Sequence, residues 1–217
     1  MPLAHKSPVV CYVTDRKALR PEAPLQNVAE KIRFAAAAGA NWVQIREKDL
    51  SARELLQLAQ GAVQSGGARI VVNDRLDVAL AAGAAGVHLG RASVQAADVV
   101  RWCRAGNAPQ GFLIGVSCHR FEEVQEAETS GADYAFFGPV FVTPSKRPFG
   151  APQGIARLGE VCRAVGIPVL AIGGVEEENA ISCIRAGAAG VAAIRMFQES
   201  RDEKQLREWI ARIHSLV

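Results

Sequence analysis

Three features of the sequence predict a compact (β/α)8 TIM barrel. Eight short apolar runs recur along the chain. Helix-compatible stretches separate most of them, and 217 residues leave little room beyond eight such units. The runs are Val9–Thr14, Trp42–Arg46, Ile70–Asn73, Gly86–Leu89, Leu113–Ser117, Tyr134–Gly138, Val169–Gly173 and Gly190–Ile194. Each is of strand length, and continuous apolar character in place of strict alternation marks strands covered on both faces. The main alternative is an open doubly wound sheet. That fold normally carries a Gly-rich turn after its first strand, where this chain has Thr14-Asp15-Arg16. The domain expectation is therefore one barrel over residues 1–217.

The helix after the second strand announces itself. In Ser51-Ala-Arg-Glu54, the Ser51 hydroxyl can accept from the Glu54 amide while the Glu54 carboxylate reaches back. Leu50 and Leu55 stand where a hydrophobic staple would, and Leu55, Leu58, Ala59 and Ala62 mark one helical face. A recurring phrase then punctuates the chain: Ala38-Gly39-Ala40, Ala82-Gly83-Ala84, Ser130-Gly131-Ala132 and Ala186-Gly187-Ala188. Each precedes an even-numbered strand and reads as a helix stop, because Gly takes the left-handed conformation without a Cβ clash. The repeating unit is then two strand–helix pairs. The longest loop candidate, Pro139–Gly154, follows strand six and has the Pro and Gly content of a lid.

Composition excludes classes without choosing a function. Hydrophobic residues are 49% and charged residues 22%, as in ordinary folded proteins. No apolar run is long enough to span a bilayer, and no signal-peptide core precedes the first strand. A net charge of +3 is too small to indicate a nucleic-acid binder and would suit a modest anionic substrate. Five scattered Cys with no CxxC pair suggest reduced thiols in a cytoplasm, with neither a zinc site nor a disulfide framework.

Barrel active sites lie at the C-terminal ends of the strands. Strand two closes with Gln44, Arg46 and Lys48, which share a face while the chain stays extended. A guanidinium fork with a point charge suits phosphate or pyrophosphate; the bland alternative is a surface salt-bridge cluster with Glu47 and Asp49. Strand three ends Asn73-Asp74, where Asn73 can donate to a phosphate oxygen and Asp74 can hold Mg²⁺, or the pair can cap the next helix. In strand four, His88 is read as a satisfied structural histidine. Strand five presents Ser117 and His119 on one face, with Cys118 turned away. His119 is either a proton-transfer group or a helix cap. Thr143, Ser145, Lys146 and Arg147 give the loop after strand six an anion-binding character. Gly173 and Gly174 expose amides after strand seven, and Arg195 after strand eight either adds charge or makes a structural pair.

Together these pieces resemble the thiamin phosphate synthase/TenI superfamily. The matching segments are Val13-Thr-Asp15-Arg16, Val43-Gln-Ile-Arg-Glu-Lys48, Val72-Asn-Asp-Arg75, Gly86-Val-His-Leu-Gly90, Gly115-Val-Ser-Cys-His119, Gly131-Ala-Asp-Tyr134, Gly138-Pro-Val-Phe141 with Thr143 and Lys146, Gln153-Gly154, and Ala171-Ile-Gly-Gly174. They fall in family order over nearly the whole chain. The resemblance implies a small phosphorylated heterocyclic substrate. In a synthase it assigns Gln44, Arg46, Lys48, Asn73 and Lys146 to a pyrimidine and its pyrophosphate. Asp74 then holds Mg²⁺, and Ser117 lines the same pocket. In a TenI-type tautomerase it assigns His119 the acid/base role in a metal-free aromatisation.

Gln44, Pro139 and Gln153-Gly154 look synthase-like. Two positions depart from the synthase pattern. Arg91-Ala92-Ser93 stands where a synthase has Gln-Glu-Asp with a second metal ligand, and Arg195-Met196 replaces a small phosphate-binding turn. The missing Asp and the retained His119 make a thiazole tautomerase needing no cofactor the leading expectation. The alternatives are a Mg²⁺-dependent thiamin phosphate synthase and a non-catalytic ligand-binding regulator. No nucleic-acid or membrane partner is expected. A homo-oligomer is compatible with the sequence, and Leu206–Ile213 with Trp209 serves either a partner surface or the core.

Overall fold

A computed structural model describes residues 7–19, 24–143 and 151–216. Eight parallel strands close into a barrel in sequence order, which excludes the open sheet. They are β1 Val9–Val13, β2 Trp42–Ile45, β3 Arg69–Asn73, β4 Gly86–Leu89, β5 Leu113–Cys118, β6 Tyr134–Phe137, β7 Val169–Ile172 and β8 Gly190–Ala193. The helices are α1 Pro24–Ala37, α2 Ala52–Ser65, α3 Leu76–Ala81, α4 Ala96–Trp102, α5 Phe121–Thr129, α6 Gly154–Ala164, α7 Ala180–Arg185, α8 Arg195–Glu199 and α9 Glu203–His214.

The continuous apolar runs have the expected cause, since each strand is covered on both faces. Inside the barrel pack Val9, Cys11, Val13, Trp42, Val71, Leu113, Tyr134, Phe136, Leu170 and Ala192. Outward-facing neighbours such as Val10, Tyr12, Val43, Ile45, Val87 and Phe137 join the layer under the helices. Cys118 lies in that outer layer, as the alternation along β5 requires.

The local signals act as expected. Ser51 and Glu54 complete the capping box. Leu55, Leu58, Ala59 and Ala62 are the buried face of α2, and Leu50 packs on the same core. All four Gly of the recurring phrase have positive φ, from 66° at Gly83 to 105° at Gly39. α9 packs against α1, α7 and β1. Its Leu206, Trp209, Ile210 and Ile213 are buried, so the stretch weighed as a partner surface is core. No helix among the described residues is long and apolar enough to cross a membrane.

Candidate active site

The strand ends at the barrel mouth carry the polar residues. β2 stops at Ile45, one residue before Arg46, and the chain turns over Glu47–Leu50. The expected extended face therefore ends early. Gln44 points inward, where it is buried and its Nε2 donates to Asn73 Oδ1 at 3.3 Å. Arg46 is half-buried, and its amide donates to Thr14 Oγ1 at 2.9 Å. Lys48 is exposed.

An ion-pair cluster does form here, but with partners from another strand end. Both Glu47 oxygens accept from the Arg16 amide at 3.1 Å, and the Arg16 guanidinium reaches Glu47 at 3.4 Å and Asp49 at 2.5 Å. Lys17 also pairs with Asp49, at 2.9 Å. Arg46 and Lys48 have no carboxylate partner among the described residues. Burial pushes the Glu47 carboxyl up, against the opposing bonds from Thr14 and Arg16. Sequence reasoning missed this clasp of Thr14, Arg16 and Glu47. The signal was the polar Thr14-Asp15-Arg16 closing β1, which has to meet the neighbouring β2 loop.

Asp74 does not cap α3. The N-cap residue is Arg75, and Asn73 Oδ1 is taken by Gln44. The Asp74 carboxylate is exposed and makes no hydrogen bond or ion pair among the described residues. Its φ is 67°, and its amide donates to the His88 carbonyl at 2.8 Å.

His88 is structural, as expected. It is fully buried, with Nε2 2.8 Å from Ser117 Oγ and Nδ1 3.1 Å from the Tyr134 hydroxyl. Burial, helped by the charge of Arg46, pushes its imidazole down to about 3. His119 does not cap α5. Glu123 does, accepting from the His119 amide at 2.6 Å and from the Arg120 amide at 3.3 Å. The His119 ring instead sets Nδ1 2.5 Å from the Gly138 carbonyl. A carbonyl only accepts, so Nδ1 carries the proton, and Nε2 has no partner among the described residues. Ser117 and His119 line one cavity together with Gly90, Arg91, Ser93 and Glu123. Ser93 is a turn residue: its Oγ accepts from the Gly90 amide at 2.8 Å and its amide returns to Gly90 O at 3.0 Å.

Gly173 and Gly174 have φ of 91° and 67°. They also let the loop after β6 approach: a Cβ on Gly173 would lie 2.6 Å from Pro139, and one on Gly174 would lie 2.7 Å from Val142 O. Their carbonyls accept from the Phe141 amide and from Asn179 Nδ2, each at 2.9 Å. Arg195 takes the pairing role, reaching Glu176 at 2.7 Å. The base of the Pro139–Gly154 loop is closed by Gln153 N to Pro139 O and Gly154 N to Val140 O. Thr143 lies at the near end of that loop. Ser145, Lys146 and Arg147 lie outside the described residues.

Among the described residues, no three His, Cys, Asp or Glu side chains converge on a metal-sized site. One free carboxylate, Asp74, stands beside polar residues suited to phosphate. Mg²⁺ bound to a phosphorylated substrate usually takes one or two protein carboxylates, with substrate oxygens and water filling the rest. Asp74 fits that donor set as a single carboxylate.

Comparison with known proteins shows the family to which the chain belongs. The sequence model of a family described as thiamine monophosphate synthase matches residues 10–197. The chain is 41% identical over 189 residues to the thiamine-phosphate synthase of Roseiflexus castenholzii, covering 86% of this chain and 79% of that protein. It is 40% identical over 190 residues to the thiamine-phosphate synthase of Moorella thermoacetica, covering 84% and 88% respectively. The structure of a thiamine phosphate pyrophosphorylase from Pyrococcus furiosus superposes with a TM-score of 0.80 at 33% identity, covering 94% of each chain.

Proposed function

The chain belongs to the thiamine monophosphate synthase family, and from that premise we propose that it is a thiamin phosphate synthase. It joins a hydroxymethylpyrimidine pyrophosphate to a thiazole phosphate and releases pyrophosphate. This reverses the order drawn from Arg91-Ala92-Ser93, which put the tautomerase first. Relatives named as synthases at about 40% identity weigh more than the missing Asp and the retained His119. The observation that carries the reading is the charge set at adjoining strand ends. Among the described residues, a guanidinium with no carboxylate partner, Arg46, and an unpaired carboxylate, Asp74, follow the Gln44–Asn73 amide pair. That set suits a polyanion together with its counter-cation.

The chemistry is leaving-group stabilisation. The pyrimidine C–O bond breaks as negative charge gathers on pyrophosphate, and the thiazole nitrogen attacks the pyrimidine cation. Arg46 and Lys48 neutralise the developing charge, and Lys146 is assigned to the same task. Gln44 is locked by Asn73 and presents a fixed amide to the pyrimidine. Asp74 would hold Mg²⁺, which when bound supplies further charge neutralisation at the pyrophosphate oxygens. The carbonyls of Gly173 and Gly174 are taken up by Phe141 and Asn179, so an anion at this turn meets amides. The thiazole phosphate is assigned there, with Thr143 on the facing loop. Arg195 adds positive charge, partly offset by Glu176.

One observation favours the tautomerase as a second reading. His119 has its Nδ1 proton held by the Gly138 carbonyl and, among the described residues, its Nε2 unpartnered, which leaves one ring nitrogen for proton transfer. Purified protein supplied with each substrate set tells the two apart. Mg²⁺-dependent pyrophosphate release with thiamin phosphate formation is expected, and it would sink the tautomerase as the sole activity. Aromatisation of a carboxylated thiazole phosphate, abolished by His119→Asn, with no coupling in Mg²⁺, would overturn the synthase reading.

A further inference from the structure

We propose that Tyr134 and His88 are positioning residues that fix Ser117 as a hydrogen-bond donor toward an acceptor atom of the bound pyrimidine pyrophosphate; the inference rests on the synthase reading for the identity of that ligand. Three neighbouring strands make the arrangement. His88 on β4 lies opposite Gly115 on β5, which lies opposite Tyr134 on β6. Gly115 is the gap through which the phenol reaches His88: a Cβ there would lie 2.1 Å from Tyr134 Cζ and 2.4 Å from its hydroxyl oxygen. Phe136 packs on the imidazole with centroids 4.3 Å apart, and the Tyr134 ring lies 5.5 Å away. The ring has no freedom to turn from its two hydroxyl partners.

Proton accounting gives the chain its direction. A neutral imidazole has one donor and one acceptor nitrogen. Tyr134 is 1% exposed, and among the described residues its hydroxyl has one partner, His88 Nδ1. If Nδ1 carried the proton, the phenolic hydrogen would be buried with no acceptor, and an unmade buried hydrogen bond is the costly case. Tyr134 therefore donates to Nδ1, and Nε2–H donates to Ser117 Oγ. One of the two Ser117 lone pairs is then occupied from inside the barrel, and its own proton is left for the mouth. A hydroxyl held this way offers its proton to an acceptor, either a pyrophosphate oxygen or a ring nitrogen.

The test uses the full chain labelled with ¹⁵N-histidine. His88, identified by the signal lost in His88→Gln, is expected to show a bare Nδ1 and a protonated Nε2. The opposite tautomer would overturn the proposal, and this readout is made on the unmodified protein and requires no turnover. Calorimetry with inorganic pyrophosphate and, separately, with the pyrimidine alcohol supplies the second arm. Tyr134→Phe and Ser117→Ala are each expected to weaken one of these ligands about five- to tenfold, roughly the worth of a neutral hydrogen bond. The ligand that weakens identifies the acceptor. The double variant is expected to be no weaker than Ser117→Ala alone, because both changes remove one donated bond. Additive losses, or no loss for either ligand, would overturn the relay. Absence of thiamin phosphate formation alongside the expected tautomer and coupling would count against the synthase reading and leave the relay standing.

Discussion

Asp74 is the only non-glycine with positive φ among the described residues, at 67°. That conformation costs an L-residue about 1–2 kcal/mol, although Asp and Asn tolerate it best. Two backbone bonds hold it, to the His88 carbonyl at 2.8 Å and from the Leu76 amide at 3.1 Å, while its carboxylate makes no hydrogen bond or ion pair among the described residues. Strain retained around a charge with no hydrogen-bonded or ion-paired partner among the described residues points to a function for the charge. Asp74→Asn keeps the shape and the left-handed tolerance but removes the charge. It is expected to leave the melting temperature nearly unchanged and to weaken pyrophosphate binding in Mg²⁺ by about tenfold or more, the scale of one charge-assisted contact. Calorimetry with and without Mg²⁺ checks this; equal binding by both proteins in Mg²⁺ would remove Asp74 from the metal site. At this scale the sequence was legible in part. Polar residues that end apolar strands stand out, so Gln44, Asn73 and Ser117 were visible. Their partners were not, because His88 meets Tyr134 across 46 residues and a Gly gap.

Helix ends were the most legible elements, because their chemistry is local. The four Gly phrases show the same pair of bonds. After α3, for example, Gly83 N donates to Leu80 O and Ala84 N to Ala79 O, the double closure of a Schellman turn. The clasp between the β1 and β2 loops was not legible, since it joins segments about 31 residues apart. Its buried carboxylate yields two distinct expectations. Burial is the largest influence on Glu47 and disfavours its charge. Glu47→Gln removes that penalty along with the ion pair, and the two effects nearly cancel. A stability change under about 1 kcal/mol is expected. Glu47→Ala instead leaves the Arg16 amide without its acceptor, while the guanidinium keeps Asp49, and is expected to cost about 1–3 kcal/mol. Because Arg46 adjoins Glu47 and hangs by its amide from Thr14, Glu47→Ala should also raise KM for the pyrophosphate substrate more than it lowers kcat. Urea titration and steady-state kinetics check both; equal stability of the two variants would mean that the clasp carries no load.

The eight strands could be counted in the sequence because burial on both faces makes each a continuous apolar run, and the count implied closure. The packing that permits closure could not be read, because it depends on glycines whose neighbours lie on other strands. Gly190 sits at the β8–β1 seam, where a Cβ would lie 2.3 Å from Val9 O, and Gly86 meets Leu113 O at the same distance across β4 and β5. Both opposing atoms are backbone, so neither can yield without moving a strand. Gly61, inside α2, is exposed, and a Cβ added there would meet nothing within 4 Å. One substitution should therefore have opposite signs at the two positions. Gly61→Ala is expected to stabilise by about 0.5–1 kcal/mol through helix propensity. Gly190→Ala is expected to destabilise by at least about 1–3 kcal/mol, the usual cost of overpacking. Urea unfolding of both variants decides the matter. Equal m-values with midpoints shifted in opposite directions are expected. A Gly190→Ala protein as stable as the parent would mean that the seam is looser than its backbone spacing implies.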